Sequence, residues 1–390
     1  MEKTKNKLLK PLACLTLAAA CLIPATSSAL TSEELRVMAM EERIGANSEK
    51  LSILDRFSFN GDFRMRMENI NADLQNANTT GDRTRLRIRF RIGGDFHLAE
   101  NLDVGFRLAG GGINNPTSTN ITLDNTAGTK DFDLDRAFAK WTPGQFELIA
   151  GKFGVPYLKS EMIFDSDLSL EGFSEKYTHK AGDTTMSMAL GQYVVEETGD
   201  SLDSDVFMIA YQGQLEHKVS AGKLVLALSY YDFANLQGSA VTNNAGAGRR
   251  NTIAGGVYSF DFNIFEVAAQ FKTDVMGKPT TFIYGNATNT ADGVNNDQAW
   301  EAGVKIGKAR DFGDWEAKAL YRVTEADAVF SAWNDSDFHG GGVNSEGVEL
   351  GVKVGLYKGV VLSVSQFFTD EESGAAEKHE LTHVDLVLKF

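Results

Sequence analysis

The sequence predicts an all-β protein, a sixteen-stranded antiparallel transmembrane β-barrel preceded by a short N-terminal helix. Three observations lead to this prediction. Apolar and polar residues alternate with a period of two along most of the chain after residue 57. The predicted strands number sixteen, and the connections between them are alternately long and short. Beyond residue 30, no stretch reaches the roughly 18 consecutive apolar residues that a membrane-spanning helix needs.

The first 29 residues have the organisation of an export signal. Four lysines between residues 3 and 10 precede an apolar segment at 12–23, and small residues lead up to Ala29. We therefore expect cleavage near Ala29. A lipoprotein signal is the alternative, because the three alanines before Cys21 weakly resemble a lipobox.

Cleavage changes the chemistry that the exported chain can support. Both cysteines, Cys14 and Cys21, lie in the signal, so disulfides, thiolate zinc sites and cysteine nucleophiles are excluded after cleavage. The whole chain has a net charge of −15, and loss of four lysines and one glutamate leaves −18. This acidity argues against nucleic acid as a partner, since phosphate binding needs an excess of lysine and arginine.

The segment 30–56 contains no aromatic residue and predicts a periplasmic helix. Its apolar positions between 37 and 54 follow one another at spacings of 3 and 4, and Thr31 or Ser32 supplies an N-cap. Two interpretations stay open. The helix forms a short coiled coil between subunits, with Asn47 at a core position, or it lies against the barrel or frays.

The alternating pattern from 57 to 390 defines the barrel domain. Its predicted strands are 57–69, 82–96, 101–112, 130–141, 145–153, 172–180, 184–193, 204–216, 221–233, 251–262, 264–275, 297–309, 314–325, 344–357, 360–370 and 379–390. The predicted long connections are 70–81, 113–129, 154–171, 194–203, 234–250, 276–296, 326–343 and 371–378. Proline cannot donate a backbone hydrogen bond to a sheet, so four prolines are placed in connections. They are Pro116, Pro143, Pro156 and Pro279.

The second predicted strand favours a membrane barrel over a soluble sandwich. Arg83, Arg85, Arg87, Arg89 and Arg91, named here the arginine ladder, project from one face at intervals of about 7 Å. Neighbouring guanidinium groups at that distance repel each other by roughly 0.6 kcal/mol in water. The ladder therefore needs water and opposing carboxylates, both of which a channel wall provides. A soluble sheet with a basic stripe is the alternative.

Four segments of the barrel domain and its aromatic end carry a family resemblance. The segments are 61–68 (GDFRMRME), 83–89 (RTRLRIR), 134–138 (LDRAF) and 151–172, and the chain ends at Phe390 after alternating apolar residues. With the export signal and the sixteen strands, residues 57–390 resemble Gram-negative outer-membrane porins, and within them the "putative porin" family.

The resemblance implies a location, partners and a function. The protein is expected in the outer membrane, in contact with lipid and lipopolysaccharide, as a homotrimer. It is expected to form a water-filled channel for passive diffusion of small hydrophilic solutes and ions. Phe390 is implied as the signal that the barrel-assembly machinery reads.

The resemblance also implies a constriction. The connection 154–171 lies between the fifth and sixth strands, where sixteen-stranded porins carry a loop that folds into the pore, and its net charge is −3. The loop residues expected at the constriction are Tyr157, Lys159, Glu161, Asp165, Asp167 and Glu171. The opposing wall is expected to consist of Arg64, Arg66, Arg85, Arg87, Arg89 and Arg107. If the first hairpin is symmetric, Glu68 lies opposite Arg83 and Asp62 opposite Arg89. The alternative is that 154–171 stays outside as an acidic surface loop.

No motif in the sequence indicates catalysis, a cofactor or a metal. P-loop, nucleophile-elbow and zincin patterns are absent, and the six histidines are dispersed. Asp131, Asp133 and Asp135 resemble the start of a calcium loop, but Arg136 stands where that loop requires glycine. Lumen lining or pairing with the arginine ladder suits these carboxylates better.

Two other functions stay open on the sequence. A barrel enzyme of the outer membrane could recruit Asp165, Asp167 and His179, although no nucleophile stands beside them. A structural tether could connect the outer membrane to the periplasm through 30–56.

Overall fold

A computed structural model describes residues 31–72, 82–111, 115–199, 205–241, 250–374 and 378–390, without the side chains of 44–54 and 125. The predicted signal, 1–29, and the side chain of Asn47 lie outside the described part. The chain divides into two compact units, one ending at Asp55 and one beginning at Arg56.

The first unit contains helix α1 (Ser32–Leu54). Thr31 is its N-cap, as predicted, because the Thr31 amide donates to the Glu34 carboxylate at 2.7 Å and the Glu34 amide donates back to Thr31 Oγ1 at 3.3 Å. This reciprocal pair satisfies two of the free backbone donors at the start of a helix. Within the described residues, no helix has the length and apolar character needed to cross a membrane.

The second unit is a closed antiparallel barrel of sixteen strands, as predicted, and a further two-residue strand, Ile121–Thr122, pairs with Arg87 and Ile88 of the second barrel strand. The strands are β1 (Phe57–Ala72), β2 (Arg83–Ala99), β3 (Leu102–Gly110), β4 (Phe132–Trp141), β5 (Phe146–Gly154), β6 (Ser169–Ala181), β7 (Thr184–Glu196), β8 (Val206–Val219), β9 (Gly222–Ala234), β10 (Asn263–Val275), β11 (Lys278–Asn289), β12 (Gln298–Gly307), β13 (Trp315–Thr324), β14 (Ser345–Tyr357), β15 (Val360–Glu371) and β16 (Lys378–Lys389). Each strand pairs with the next, and β1 pairs with β16 from Asp62 opposite Lys389 to Ala72 opposite His379. Closure leaves no unpaired edge, which a strand-built membrane span requires.

The alternation in the sequence separates an outer face from a lumen face. On β1, Asp62, Arg66 and Glu68 are buried, whereas Met65 and Met67 between them are more than 40% exposed. Polar side chains therefore point into the barrel and apolar ones point outward, as in outer-membrane barrels.

One predicted strand is wrong and one strand was missed. Residues 251–262 form only a hairpin of two-residue strands, Ile253–Ala254 with Val257–Tyr258, inside a long loop. Gly255 and Gly256 have φ angles of 63° and 85°, so the chain turns back where a barrel strand would continue. The missed strand, β11, lies inside the predicted connection 276–296. The number of strands is unchanged because the two errors cancel.

Pro279 is the reason that β11 was missed. It is the second residue of this strand, opposite Asp274, and follows directly on the turn at Met276 and Gly277. Proline is tolerated at the start of a strand. Its placement in a connection was therefore wrong, whereas the other three prolines do lie in connections.

Eight long connections lie at one end of the barrel and short turns lie at the other, as predicted. The loops used below are L2 (111–131), L3 (155–168), L5 (235–262) and L7 (325–344). L3, L5 and L7 fold into the barrel and bury apolar side chains there. These include Met162, Ile163, Phe164 and Leu168 of L3, Tyr258 and Phe262 of L5, and Val329, Phe330 and Trp333 of L7.

The buried loop residues pack against lumen-facing side chains of β5 to β12, such as Met208, Tyr231 and Ile264. Burial of each large apolar side chain contributes about 2 kcal/mol. The three loops are therefore held along one side of the lumen, and the side formed by β16, β1 and β2 stays charged.

Candidate functional site

The charged wall of the lumen is built by the register of β1 and β2. Glu68 lies opposite Arg85 and Asp62 opposite Arg91, and between them Arg66 and Arg64 face the arginine ladder. The predicted register, with Arg83 opposite Glu68 and Arg89 opposite Asp62, was wrong by two residues, although Asp62 and Arg89 do form an ion pair. A symmetric hairpin does not describe the connection, because β1 continues to residue 72 and β2 begins at residue 83.

Carboxylates of the wall hold the ladder together. Asp62 binds Arg89 at 2.8 Å and Arg91 at 2.6 Å, so one carboxylate bridges two ladder arginines. Glu68 in the same way binds Arg85, and Arg87 at 3.1 Å. These bridges offset the repulsion between neighbouring guanidinium groups, which the sequence identified as the difficulty of such a ladder.

β16 completes the wall. Asp385 binds Arg66 at 2.7 Å and is 4.0 Å from Arg64. The pair joins residues separated by 319 positions in the chain. Barrel closure therefore supplies the partner of Arg66.

L3 meets the wall through Asp167. Its carboxylate is 2.9 Å from Arg91 Nη1 and 3.5 Å from Arg89 Nη1, and it accepts a hydrogen bond from Thr119 of L2 at 3.2 Å. Burial opposes ionisation of Asp167, but Arg89 and Arg91 outweigh it and lower the pKa of this carboxyl below its ordinary value. Of the predicted loop residues, Asp167 is the one with ion pairs to the ladder.

The other predicted loop residues fix L3 in place. The hydroxyl groups of Tyr157 and Tyr193 are 2.5 Å apart, Lys159 donates to the Asp165 backbone oxygen, and Glu161 is 3.4 Å from Lys318. Glu171 belongs to β6 and pairs with Lys152, so it lies outside L3. Arg107 of β3 pairs with Asp135 of β4.

The pKa of Asp165 is raised to about 8, chiefly by burial and further by the neighbouring carboxylates of Asp335 and Asp167. Its carboxyl group accepts backbone hydrogen bonds from Asp167 at 2.7 Å and from Ser336 at 2.8 Å. Asp165 therefore links L3 to L7 and does not face an arginine.

L7 is the part of the site that the sequence prediction missed. Asp337 lies 3.3 Å from Arg66, and Asp335 lies 2.9 Å from Arg322 of β13. A signal for this was present in the sequence, because 335–337 repeats the Asp-Ser-Asp of 165–167. In both loops the first aspartate accepts the backbone amide of the second, at 2.7 Å in L3 and at 3.0 Å in L7.

One group of carboxylates approaches metal-binding geometry in the described part of the chain. Oxygens of Glu161, Asp335 and Glu349 lie within 4.8 Å of one another. Lys318 binds Glu349 at 2.8 Å and Arg322 binds Asp335, so two protein cations already bind the three carboxylates. We interpret it as an ion-pair network. The Asp131, Asp133 and Asp135 triplet does not converge into such a group.

Two cavities lie in the lumen. The outer cavity, of about 580 Å³, is on the long-loop side and is lined by parts of L2, L3, L7 and β3 to β7, including Asp133, Asp135, Lys152 and Trp333. The inner cavity, of about 330 Å³, is on the short-turn side. Its lining residues are Asn60, Gly61, Asp62, Arg91, Gly93, Arg107, Lys389 and Phe390.

Solved structures share this architecture. OprB of Pseudomonas putida, solved at high pH, has a TM-score of 0.56 at 12% identity, covering 88% of this chain and 97% of that one. OmpF of Salmonella typhi in complex with daunomycin has a TM-score of 0.50 at 11% identity, covering 86% and 97%. A triple mutant of the Rhodopseudomonas blastica porin has a TM-score of 0.47 at 14% identity, covering 86% and 100%. At these identities the likeness to OprB and OmpF shows the fold alone.

Sequence comparison identifies the family. No curated protein matches the sequence. The family model described as "Putative porin" matches residues 34–254 and 257–390. The match includes most of α1, so the resemblance extends further than the barrel on which the sequence prediction rested. The chain therefore belongs to the putative porin family and forms a porin channel of the outer membrane.

Proposed function

We propose that this porin is a passive channel for small hydrophilic solutes and ions. Its constriction lies between the charged wall of β16, β1 and β2 and the acidic loop L3. The observation that carries the proposal is the pairing of Asp167 with Arg89 and Arg91, which is made by a loop lying inside the barrel. A surface loop, the alternative left open by the sequence, does not account for this contact.

The charge distribution supports a mechanism. Carboxylates of L3 and L7 lie on one side, and Arg64, Arg66 and the ladder lie on the other. Asp167 and Asp337 contact the arginines directly, and the charge separation that remains beside these ion pairs produces a transverse field that orients dipolar solutes. Hydrophilic solutes exchange hydration for polar contacts along such a passage, whereas apolar solutes gain no favourable contacts with its charged lining.

The remaining expectations from the sequence belong to the same proposal. The signal is removed near Ala29, and α1 lies in the periplasm, where it joins three subunits. Lipid and lipopolysaccharide contact the outer face, which the exposed apolar side chains of the strands fit. Phe390 is read by the barrel-assembly machinery.

A planar-bilayer experiment tests the constriction. Replacing Arg85, Arg87 and Arg89 together by alanine removes three positive charges, so the reversal potential in a salt gradient is expected to shift toward cations and the conductance to change. If the reversal potential and the conductance both keep their wild-type values, the ladder does not line the constriction. Liposome swelling by the unmodified protein tests the channel itself, and a barrel that causes no swelling would favour a structural tether.

A further inference from the structure

One ion pair joins the linings of the two cavities. Asp135 lines the outer cavity, and its partner Arg107 lines the inner cavity. The two residues lie on neighbouring strands, β3 and β4. A solute that moves from one cavity to the other therefore meets this pair.

A β-bulge places Asp135 at this position. Arg107 lies opposite Arg136 and Leu108 opposite Leu134, so Asp135 is the extra residue with no partner in the register. Bulges redirect a side chain and are frequent next to functional sites. Here the bulge brings a carboxylate to two arginines that would otherwise face each other across the strands as like charges.

The second arginine, Arg136, fits in the lumen because the residue beside it is glycine. Arg136 donates to Ser169 Oγ at 3.1 Å and passes over Gly154, where a Cβ atom would lie only 2.9 Å from the guanidinium. Arg107 Nη2 is buried and has no hydrogen-bond partner in the described structure. When Asp135 is displaced, this N–H group is a further donor for the anionic group that replaces it.

Two sectors of the lumen are covered by loops at the height of the wall. Asn120 of L2 binds Arg64, Asp167 of L3 binds Arg91, and Asp337 of L7 binds Arg66, so three loops cover the wall of β1 and β2. Apolar side chains of L3, L5 and L7 pack along β5 to β12. The sector of β3 and β4 lies between these two covered regions.

The charges of the two cavities have opposite sign. The outer cavity is lined by one lysine, Lys152, and by five carboxylates, which are Asp133, Asp135, Glu171, Glu196 and Glu197. The inner cavity is lined by three cations and one carboxylate, which are Arg91, Arg107, Lys389 and Asp62. A small solute that carries one positive and one negative group finds an opposite charge on both sides of the pair.

We propose that solutes cross the constriction at Arg107 and Asp135, and that this pair selects small zwitterions. A solute carboxylate takes the place of Asp135 on Arg107 while its ammonium group stays among the outer carboxylates. The proposal rests on the channel function proposed above and adds the route and the solute class.

Single-charge variants in a planar bilayer test the route. Arg107→Gln is expected to raise, and Asp135→Asn to lower, the cation-to-anion permeability ratio by about fourfold, because one unit charge roughly 10 Å away in water changes the permeabilities of the cation and the anion about twofold each in opposite directions. Arg85→Gln makes the same change in charge on the ladder and is expected to have a smaller effect. Lys223→Gln, at the base of β9 and outside both cavity linings, is the control.

The double variant Arg107→Asp with Asp135→Arg keeps an ion pair, so it controls for misfolding of the single variants. Its permeability ratio is expected to lie nearer the wild type than that of either single variant. An effect of Arg85→Gln that exceeds that of Arg107→Gln overturns the route, and so does an unchanged ratio in all Arg107 and Asp135 variants that still conduct.

Liposome swelling with two isomers tests the solute class. Alanine is zwitterionic and lactamide is its uncharged isomer, so size is matched. We expect faster entry of alanine through the wild type and loss of this difference in Arg107→Gln. Equal rates through the wild type overturn the zwitterion preference. If neither solute enters, the channel function itself is contradicted. Failure of the zwitterion preference and failure of the channel function therefore give different results.

Discussion

The carboxyl group of Asp165 in L3 accepts a hydrogen bond from the backbone amide of Ser336 in L7, at 2.8 Å. The two residues belong to the two copies of the Asp-Ser-Asp sequence, and each copy directs its second aspartate to an arginine of the wall. Further backbone bonds, from Asp165 to Trp333 and from Asp335 to Glu161, join the two turns. L3 and L7 therefore form one unit, and a change at their junction is expected to affect both.

Replacing Asp165 by asparagine is expected to reduce the dependence of the free energy of unfolding on pH. The pKa of Asp165 is raised by burial and by Asp335 to about 8, against 3.8 in the unfolded chain. The folded state binds this proton more tightly, so the free energy of unfolding falls as the pH rises through the window from 3.8 to about 8. Thermal unfolding in detergent at pH 5 and pH 8 measures the loss, and Asp131→Asn, on an exposed residue, is the control. Equal pH dependence in Asp165→Asn and the wild type would remove Asp165 from this role.

Glu266 of β10 is expected to anchor L3. It is fully buried and accepts hydrogen bonds from Ser160 Oγ at 2.9 Å and from Tyr231 at 2.8 Å. Glu266→Ala leaves two buried hydroxyl groups unpaired, at a cost of about 1–3 kcal/mol each. We expect a lower unfolding temperature and noisier single-channel currents. Glu266→Gln keeps an acceptor and is the matched variant, with a smaller effect. Currents as quiet in the alanine variant as in the wild type would contradict the anchor.

Asp337→Asn is expected to loosen L7 from the wall. Burial opposes ionisation of Asp337, but Arg66 and His383 hold its pKa below the ordinary value. The ionised group therefore adds stability above the unfolded pKa of 3.8, and this contribution is lost as the pH falls further. At neutral pH the variant is expected to unfold at a lower temperature than the wild type, and the difference is expected to shrink in acid. A difference that stays constant with pH would speak against the ion pair.

Gly61 is expected to be required for the position that Phe390 takes at the end of the last strand. The backbones of the two residues exchange hydrogen bonds of 2.8 and 3.1 Å, and a Cβ at Gly61 would lie 2.6 Å from the Phe390 ring. Gly61→Ala therefore displaces the last residue of the barrel. We expect a smaller folded fraction in the outer membrane, measured by heat-modifiable migration in gels. Gly213→Ala, where a Cβ meets no atom within 4 Å, is the matched control. Equal folded fractions in the two variants would contradict the requirement.

Deleting 31–54 tests the helix as an assembly element. Spacings of 3 and 4 between apolar positions suit a coiled coil, although three heptads are marginal alone. We expect the trimer in detergent to weaken, as measured by light scattering, while the barrel stays folded. A trimer of unchanged stability, or a monomer both before and after deletion, would exclude the helix from assembly.

The sequence by itself determined the barrel and the arginine face of its charged wall, whereas the strand number agreed only because two errors cancelled. Strand alternation depends on neighbours two residues apart, so each strand shows its lumen face locally. Arg85, Arg87 and Arg89 could be placed on one face for that reason. The cap at Thr31 was equally local. Where Pro279 and the pair Gly255 and Gly256 interrupted these local signals, the strand assignment failed.

The tertiary structure alone decided which charges meet. A register shift of two residues between β1 and β2 gave Glu68 its partner Arg85, and the bulge at Asp135 turned this carboxylate to Arg107. Arg66 received Asp385 only because the barrel closes. Such partners depend on contacts between residues far apart in the chain, and composition and spacing carry no information about them. The repeated Asp-Ser-Asp marks L7 in the sequence, but its place in the lumen depends on the binding of its turn to that of L3.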